Sequence, residues 1–154
     1  MKKVNVSKGS ITIVSLPIGN LKDITIRAIE TLEDSDIIYC EDTRITIKLT
    51  KHYNIKTQLK SYHEHSTSKV REQIIKELND GRKISLVSDA GTPLISDPGY
   101  KLIRDLKKKG FTVTSAPGAS SPIAALTLSG IPSDKFLFAG FLPIKKSLRK
   151  NYLI

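Results

Sequence analysis

A single cysteine, three histidines and the lack of any long apolar run narrow the reading before a motif is sought. Cys40 has no partner for an internal disulfide, which fits a reducing cytoplasm. No run of about 18 apolar residues occurs, so nothing in the chain reads as a membrane span. Residues 1–6, MKKVNV, are basic but lack the apolar core of a secretory signal. Two glycine-rich signatures are missing as well. The sequence contains neither G-x-G-x-x-G nor G-x-x-x-x-G-K-[ST], so a pyrophosphate cradle for NAD or ATP has no support. There is no low-complexity tract, and 154 residues with 39% apolar content suffice for one ordinary domain with a sizeable core. These absences lead us to expect a soluble intracellular protein.

Acidic residues are few, 15 against 25 Lys and Arg, which leaves a formal charge of +10. Lysines and arginines gather at 2–3, 107–109, 145–146 and 149–150. Such a surface attracts phosphate backbones. The competing reading is a compositional bias in which the lysines merely solvate helix faces.

The hydrophobic pattern alternates between short β-branched runs and helical periodicities. Strands are expected at 10–16 (SITIVSL), 36–40 (DIIYC), 58–62, 84–87 and 111–115. Between them, Ile24, Ala28, Ile29 and Leu32 recur at helical spacing after a possible cap at Asp23. Ile45, Leu49 and His52 mark a second helix opened by Glu41-Asp42-Thr43, and Val70, Ile74, Ile75 and Leu78 a third that stops at Gly81. Asp97 and Pro98 suit the cap and first position of a fourth helix over 99–109. Connections too long for hairpins imply crossovers, hence an α/β fold: a parallel sheet in an α/β/α sandwich. Ligands of such sheets sit outside the carboxyl ends of the strands. From Ala116 the pattern changes to a small-residue linker, APGASS, then an apolar helix over 122–129 and a strand-like FLFAGFLP over 136–143. The expected domains are therefore 1–115, and a linker with the start of a second α+β domain over 116–154. Exposed Ile123, Leu126, Leu128, Phe136, Phe138 and Phe141 would drive self-association or exchange of this segment between chains.

Several segments at the strand ends carry chemistry. SDAGTPLISDPG at 88–99 combines backbone-permissive glycines with small side chains, which lets a ligand approach the main chain. Its plainer reading is a rigid strand-to-helix connection. That explains Asp97-Pro98-Gly99 but leaves Asp89-Ala90-Gly91-Thr92-Pro93 unexplained. Glu41 and Asp42 suit either acid–base work or helix capping with Arg44 as a surface partner. His63-Glu64-His65 can place two imidazoles on one face, yet with only His52 besides, the ligand count argues against a metal. Cys40 has no basic neighbour in sequence and reads as a packed core thiol.

Taken in order, LPIGNLKDITIRAIETL (16–32), EDTR (41–44), SYHEH (61–65), LVSDAGTPLISDPGY (86–100), PGASS (117–121) and SGIPSDKFLFAGFLP (129–143) resemble one family. It is the ribosomal RNA small subunit methyltransferase I family, within the tetrapyrrole (corrin/porphyrin) methylase superfamily. The resemblance implies a two-domain, S-adenosylmethionine-dependent enzyme, cytoplasmic and homodimeric. It also implies methylation of the ribose 2′-hydroxyl of a cytidine in the small-subunit (16S) ribosomal RNA of the 30S particle, with no membrane involved. Matching segments put the cofactor contacts on Pro17, Ile18, Gly19, Ala90, Gly91, Thr92 and Ile95, with Ser120 and Ser121 at the hinge. Candidates for a general base are Asp89, Glu41, His63 and Glu64; no metal is implied. Pro17-Ile18-Gly19-Asn20 and Ala90-Gly91-Thr92-Pro93 depart from the glycine-rich loops of the small-molecule methylases, as the RNA-methylating branch would. Family members continue past the end of this sequence, so the resemblance implies an N-terminal portion that is inactive alone. A small-molecule tetrapyrrole methylase and a non-catalytic RNA- or partner-binding fragment remain the alternatives.

Overall fold

In a computed structural model that describes residues 8–63 and 68–150, five strands form one parallel sheet. In chain order the elements are β1 (Ser10–Val14), α1 (Ile26–Glu33), β2 (Ile37–Cys40), α2 (Thr43–His52), β3 (Gln58–Ser61) and α3 (Ser68–Asn79). Then come β4 (Lys83–Leu86), α4 (Tyr100–Lys108), β5 (Thr112–Ala116), α5 (Ser121–Leu128) and α6 (Lys146–Arg149). The sheet order is β3-β2-β4-β1-β5, with Ile37 opposite both Gln58 and Ile84, and Ser10 opposite both Lys83 and Thr112.

Composition explains this order. All four residues of β2, Ile-Ile-Tyr-Cys, are buried, as a strand covered on both faces requires. The edge strands β3 and β5 carry Gln58, Lys60, Thr112 and Thr114, polar groups that suit a margin. Alternate side chains of β2 feed separate cores. Ile38 and Cys40 join Ala28, Leu32 and Leu49 from α1 and α2, whereas Ile37 and Tyr39 join Ile74, Leu78, Leu102 and Leu106 from α3 and α4. The expected α/β/α sandwich is what forms.

Four local expectations need correction. Thr25, not Asp23, caps α1, its hydroxyl accepting the Ala28 N–H at 3.1 Å; Asp23 instead closes a 3₁₀ turn, Leu21–Asp23, capped by Asn20. Ile45 and His52 do not face the core of α2. The cap at Asp42 sets the helix phase so that Thr46, Leu49 and Thr50 are buried, and Ile45 is exposed. Asp97 does not cap α4: the helix starts behind Gly99 with no side-chain cap, and the Ser88 hydroxyl near Asp97 donates to the Ala90 carbonyl at 3.0 Å. Finally, 136–143 forms no strand. The described part of its unit holds no other strand to pair with, and a lone extended segment cannot satisfy its backbone by a ladder.

The chain divides into two compact units between Ser121 and Pro122. The sheet and α1–α4 belong to the first. In the second, Phe136, Leu137, Phe138, Phe141 and Ile144 are exposed.

Gly9 packs the approach to β1 against the α3–β4 turn. Its N–H donates to the Leu78 carbonyl at 2.7 Å, and a Cβ there would fall 2.0 Å from the backbone oxygen of Arg82. Gly9→Ala is expected to cost about 2 kcal/mol or more, read as a lower urea midpoint with an unchanged m-value.

Candidate functional site

The helices that follow β1 and β2 cover one face of the sheet, and those that follow β3 and β4 cover the other. β4 therefore sends its chain to the face opposite that used by both its neighbours, β2 and β1. Crevices at the carboxyl ends of parallel sheets open at such reversals. The loop that leaves β4 is 88–99.

This loop is tied to the end of β1 by a pair of backbone hydrogen bonds. Leu16 N–H donates to the Gly91 carbonyl at 2.8 Å, and Gly91 N–H donates to the Leu16 carbonyl at 3.1 Å. The pairing turns on a left-handed Gly91, φ +70°, where a side chain would also meet the Ile18 methyl at 3.4 Å. Thr92 extends the tie. Its hydroxyl donates to the Ala119 carbonyl at 3.2 Å and lies 2.8 Å from the Ser15 hydroxyl. With its one proton spent on Ala119, Thr92 accepts from Ser15. Farther along, Leu94 (φ +74°) and Ser96 (φ +62°) are left-handed without being glycine. Leu94 turns inward onto the core beside Leu86, and Ile95 is left half exposed.

On the α1–α2 side lies a crevice of about 360 Å³. Pro17, Ile18, Ile45 and Leu49 give it apolar walls, and Lys48 and Asp89 are its charged groups. Asp89 also bridges to β2, its Oδ1 accepting the Asp42 N–H at 3.0 Å. Asp42 is the cap of α2. It accepts from the Arg44 backbone N–H at 2.8 Å, and the Arg44 guanidinium lies 2.6 Å from its other oxygen.

Four carboxyls thus meet at these strand ends, in different environments. Burial pushes the Glu41 carboxyl up from its ordinary value, the charges of Asp89 and Asp97 add to this, and His63 opposes it. Asp97 is also raised, first by burial, against the nearby Ser88 hydroxyl, with the charge of Asp89 adding to the rise. Burial likewise raises the Cys40 thiol, in keeping with a packed, unreactive cysteine.

Of the residues singled out from sequence, Pro17, Ile18, Gly19, Asp89 and Ala90 line the crevice, and Gly91 and Thr92 follow on the β1 side. Glu41 and His63 fall close enough to interact electrostatically. Ser120 and Ser121 lie directly beyond the Thr92–Ala119 contact. Ile95 does not line the crevice, and Glu64 and His65 lie outside the described residues. Among the described residues no group of His, Cys, Asp and Glu is arranged to hold a metal ion, and no helix is long and apolar enough to cross a membrane. Sequence reasoning missed Ser15, Lys48 and the site role of Asp97. A hydroxyl at the end of the apolar run ITIV was the available signal for Ser15; Asp97 was hidden by its resemblance to a helix cap.

Arg44 holds the Asp42 carboxyl down at about 2, against 3.8 for an ordinary aspartate. A folded-state value below the unfolded one supplies stability that is present above the unfolded value and lost as pH falls through the folded one. Thermal unfolding is therefore expected to show a loss between about pH 4 and pH 2. Asp42→Asn keeps the capping oxygen without the charge and should flatten that dependence.

Residues 10–149 match the family model for tetrapyrrole (corrin/porphyrin) methylases. The ribosomal RNA small subunit methyltransferase I of Rickettsia prowazekii is 59% identical over 136 residues, which cover 88% of this chain and 49% of that protein. The protein of the same name from Escherichia coli O157:H7 is 46% identical over 147 residues, 96% of this chain and 51% of that one. This chain thus spans about half the length of these curated relatives. Among solved structures, the uroporphyrin-III-C-methyltransferase of Thermus thermophilus superposes with a TM-score of 0.63 at 20% identity, over 82% of this chain and 55% of that one, a likeness of fold. The chain belongs to the tetrapyrrole (corrin/porphyrin) methylase family.

Proposed function

We propose that the whole protein transfers a methyl group from S-adenosylmethionine to the ribose 2′-hydroxyl of a cytidine in small-subunit ribosomal RNA. It acts on the 30S particle, in the cytoplasm and as a homodimer. The observation that carries this reading is the 59% identity with the Rickettsia prowazekii enzyme over 88% of the chain. On this reading residues 1–115 supply one wall of the cofactor cleft, and 116–154 are a linker and the beginning of a second domain. This 154-residue chain alone is then inactive.

The residues present fit the cofactor. Gly19 and Gly91 leave main chain without a Cβ beside the crevice, and the Thr92 hydroxyl lies within the same stretch. We assign Pro17, Ile18, Gly19, Ala90, Gly91 and Thr92 to holding it, with Ile95, Ser120 and Ser121 at the margins. When bound, the cofactor supplies an electrophilic methyl on a sulfonium, with its leaving group built in. The protein's part is to align the ribose oxygen and to receive its proton.

For that proton we favour Glu41 over Asp89, His63 and Glu64. Its carboxyl is raised by burial and by three neighbouring carboxyls, so it holds a proton more readily than an ordinary glutamate. Basic side chains position the RNA through its phosphates.

The test is transfer of tritiated methyl from S-adenosylmethionine to 30S subunits by the full-length protein. Label is expected on a cytidine whose 3′ phosphodiester resists alkali, because a methylated 2′-oxygen cannot attack it. Absence of label in the ribose overturns the reading. Glu41→Gln is expected to lower kcat by about 100-fold or more. It should also abolish the fall in rate that the native enzyme shows as pH drops through the raised Glu41 value.

A further inference from the structure

We infer that the crevice between the 17–21 loop and α2 is the seat of the substrate nucleotide's base, and that the Asp89 carboxylate reads the exocyclic amine of that base. The inference rests on the RNA-methylating reading above and adds to it which surface takes the base.

Size and chemistry agree. About 360 Å³ lies in the range of pockets that enclose a single small ligand. Apolar walls at Pro17, Ile18, Ile45 and Leu49 suit the faces of an unstacked base. Asp89 is the crevice's one carboxylate, and a carboxylate accepts from the amino group of cytosine but meets the carbonyl oxygen of uracil with repulsion. Its Oδ1 is held by the Asp42 N–H at 3.0 Å, which fixes the carboxylate's direction.

Charge places phosphate, not a sulfonium, at the crevice mouth. Arg44, Lys48 and Lys51 are exposed and recur at i, i+4 and i+7, so they share one side of α2. Lys22 is exposed on the 3₁₀ turn that follows the crevice-lining loop. A polyanionic strand is drawn to this rim, and a cationic cofactor is not. The main chain of 17–19 and Ala90 is then shared between base and cofactor, while Gly91 and Thr92, outside the crevice lining, serve the cofactor alone. Ile18 then acts as the partition across which the ribose oxygen meets the methyl group, lining the crevice while its methyl lies 3.4 Å from where a Cβ on Gly91 would stand.

The test is amide NMR titration of the full-length protein with cytidine monophosphate, uridine monophosphate and S-adenosylmethionine in turn. The cytidine nucleotide is expected to shift Ile18, Ile45, Lys48 and Asp89, and to bind about tenfold more tightly than the uridine nucleotide. Asp89→Asn retains an oxygen for the Asp42 N–H, so the fold is kept, and its amide now donates to uracil. The preference should reverse. Lys48→Gln should weaken the monophosphate while leaving cytidine itself unaffected. Equal binding of the two nucleotides, or no binding of either, overturns the inference. So does S-adenosylmethionine displacing the nucleotide from the crevice. Failure here leaves methyl transfer by the full-length protein intact. Loss of that transfer beside selective nucleotide binding would instead remove the enzymatic reading.

Discussion

Two backbone hydrogen bonds between Leu16 and Gly91 hold the candidate site together. Parallel strands diverge into separate crossovers at their carboxyl ends, so nothing in the sheet ladder obliges the loops after β1 and β4 to meet. The Leu16–Gly91 exchange obliges them. It brings the 17–19 segment against the 88–99 loop, and through Thr92 it reaches the Ala119 carbonyl that precedes α5. Three chain segments far apart in sequence are then related by main-chain and hydroxyl contacts rather than by long side chains. A ligand that meets backbone here meets a surface with little freedom to move away.

That rigidity has a cost in the loop itself. Leu94 and Ser96 occupy the left-handed region without the permissive backbone of glycine, an expense of about 1–3 kcal/mol each. Burial of Leu94 against Leu86 and the adjoining core offsets part of it. The geometry that results sends Leu94 inward and Ile95 outward, within two residues. An unstrained connection would join β4 to α4 with fewer special conformations. The strain is therefore better explained by the positions of Asp89, Gly91 and Thr92 than by the needs of the fold.

The sheet was legible from sequence because period-two burial and helical spacing are independent of ligand and partner. The apolar runs of β1, β2 and β4 and the repeats of α1 and α3 announced themselves on that basis. Caps were less legible. Asp23, Thr25 and Asn20 are all competent N-caps within six residues, and only packing against the sheet decides that Ala28 and Leu32 point inward and that Thr25 therefore begins the helix. Asp97 failed for a related reason. Its expected partner was the start of α4, but the helix begins behind Gly99 with no side-chain cap, and the loop geometry that removes Asp97 from it leaves no local pattern. The strand expected over 136–143 shows the limit of alternation as evidence: a strand is defined by its neighbour, and the described part of that unit offers none.

Charge at the site runs against charge in the chain. The protein carries a formal +10, yet Glu41, Asp42, Asp89 and Asp97 gather at the ends of β2 and β4. Two of them are tied by hydrogen bonds: Asp42 accepts from Arg44, and Asp89 accepts the Asp42 N–H. Glu41 has burial against it and the charge of His63 in its favour, while Asp89 and Asp97 repel its negative form. Burial and like charge thus push Glu41 and Asp97 the same way, while Arg44 holds Asp42 the other way. On the proposed reading, a basic exterior draws the RNA to the strand ends, where the Glu41 carboxyl, raised by burial, receives the ribose proton.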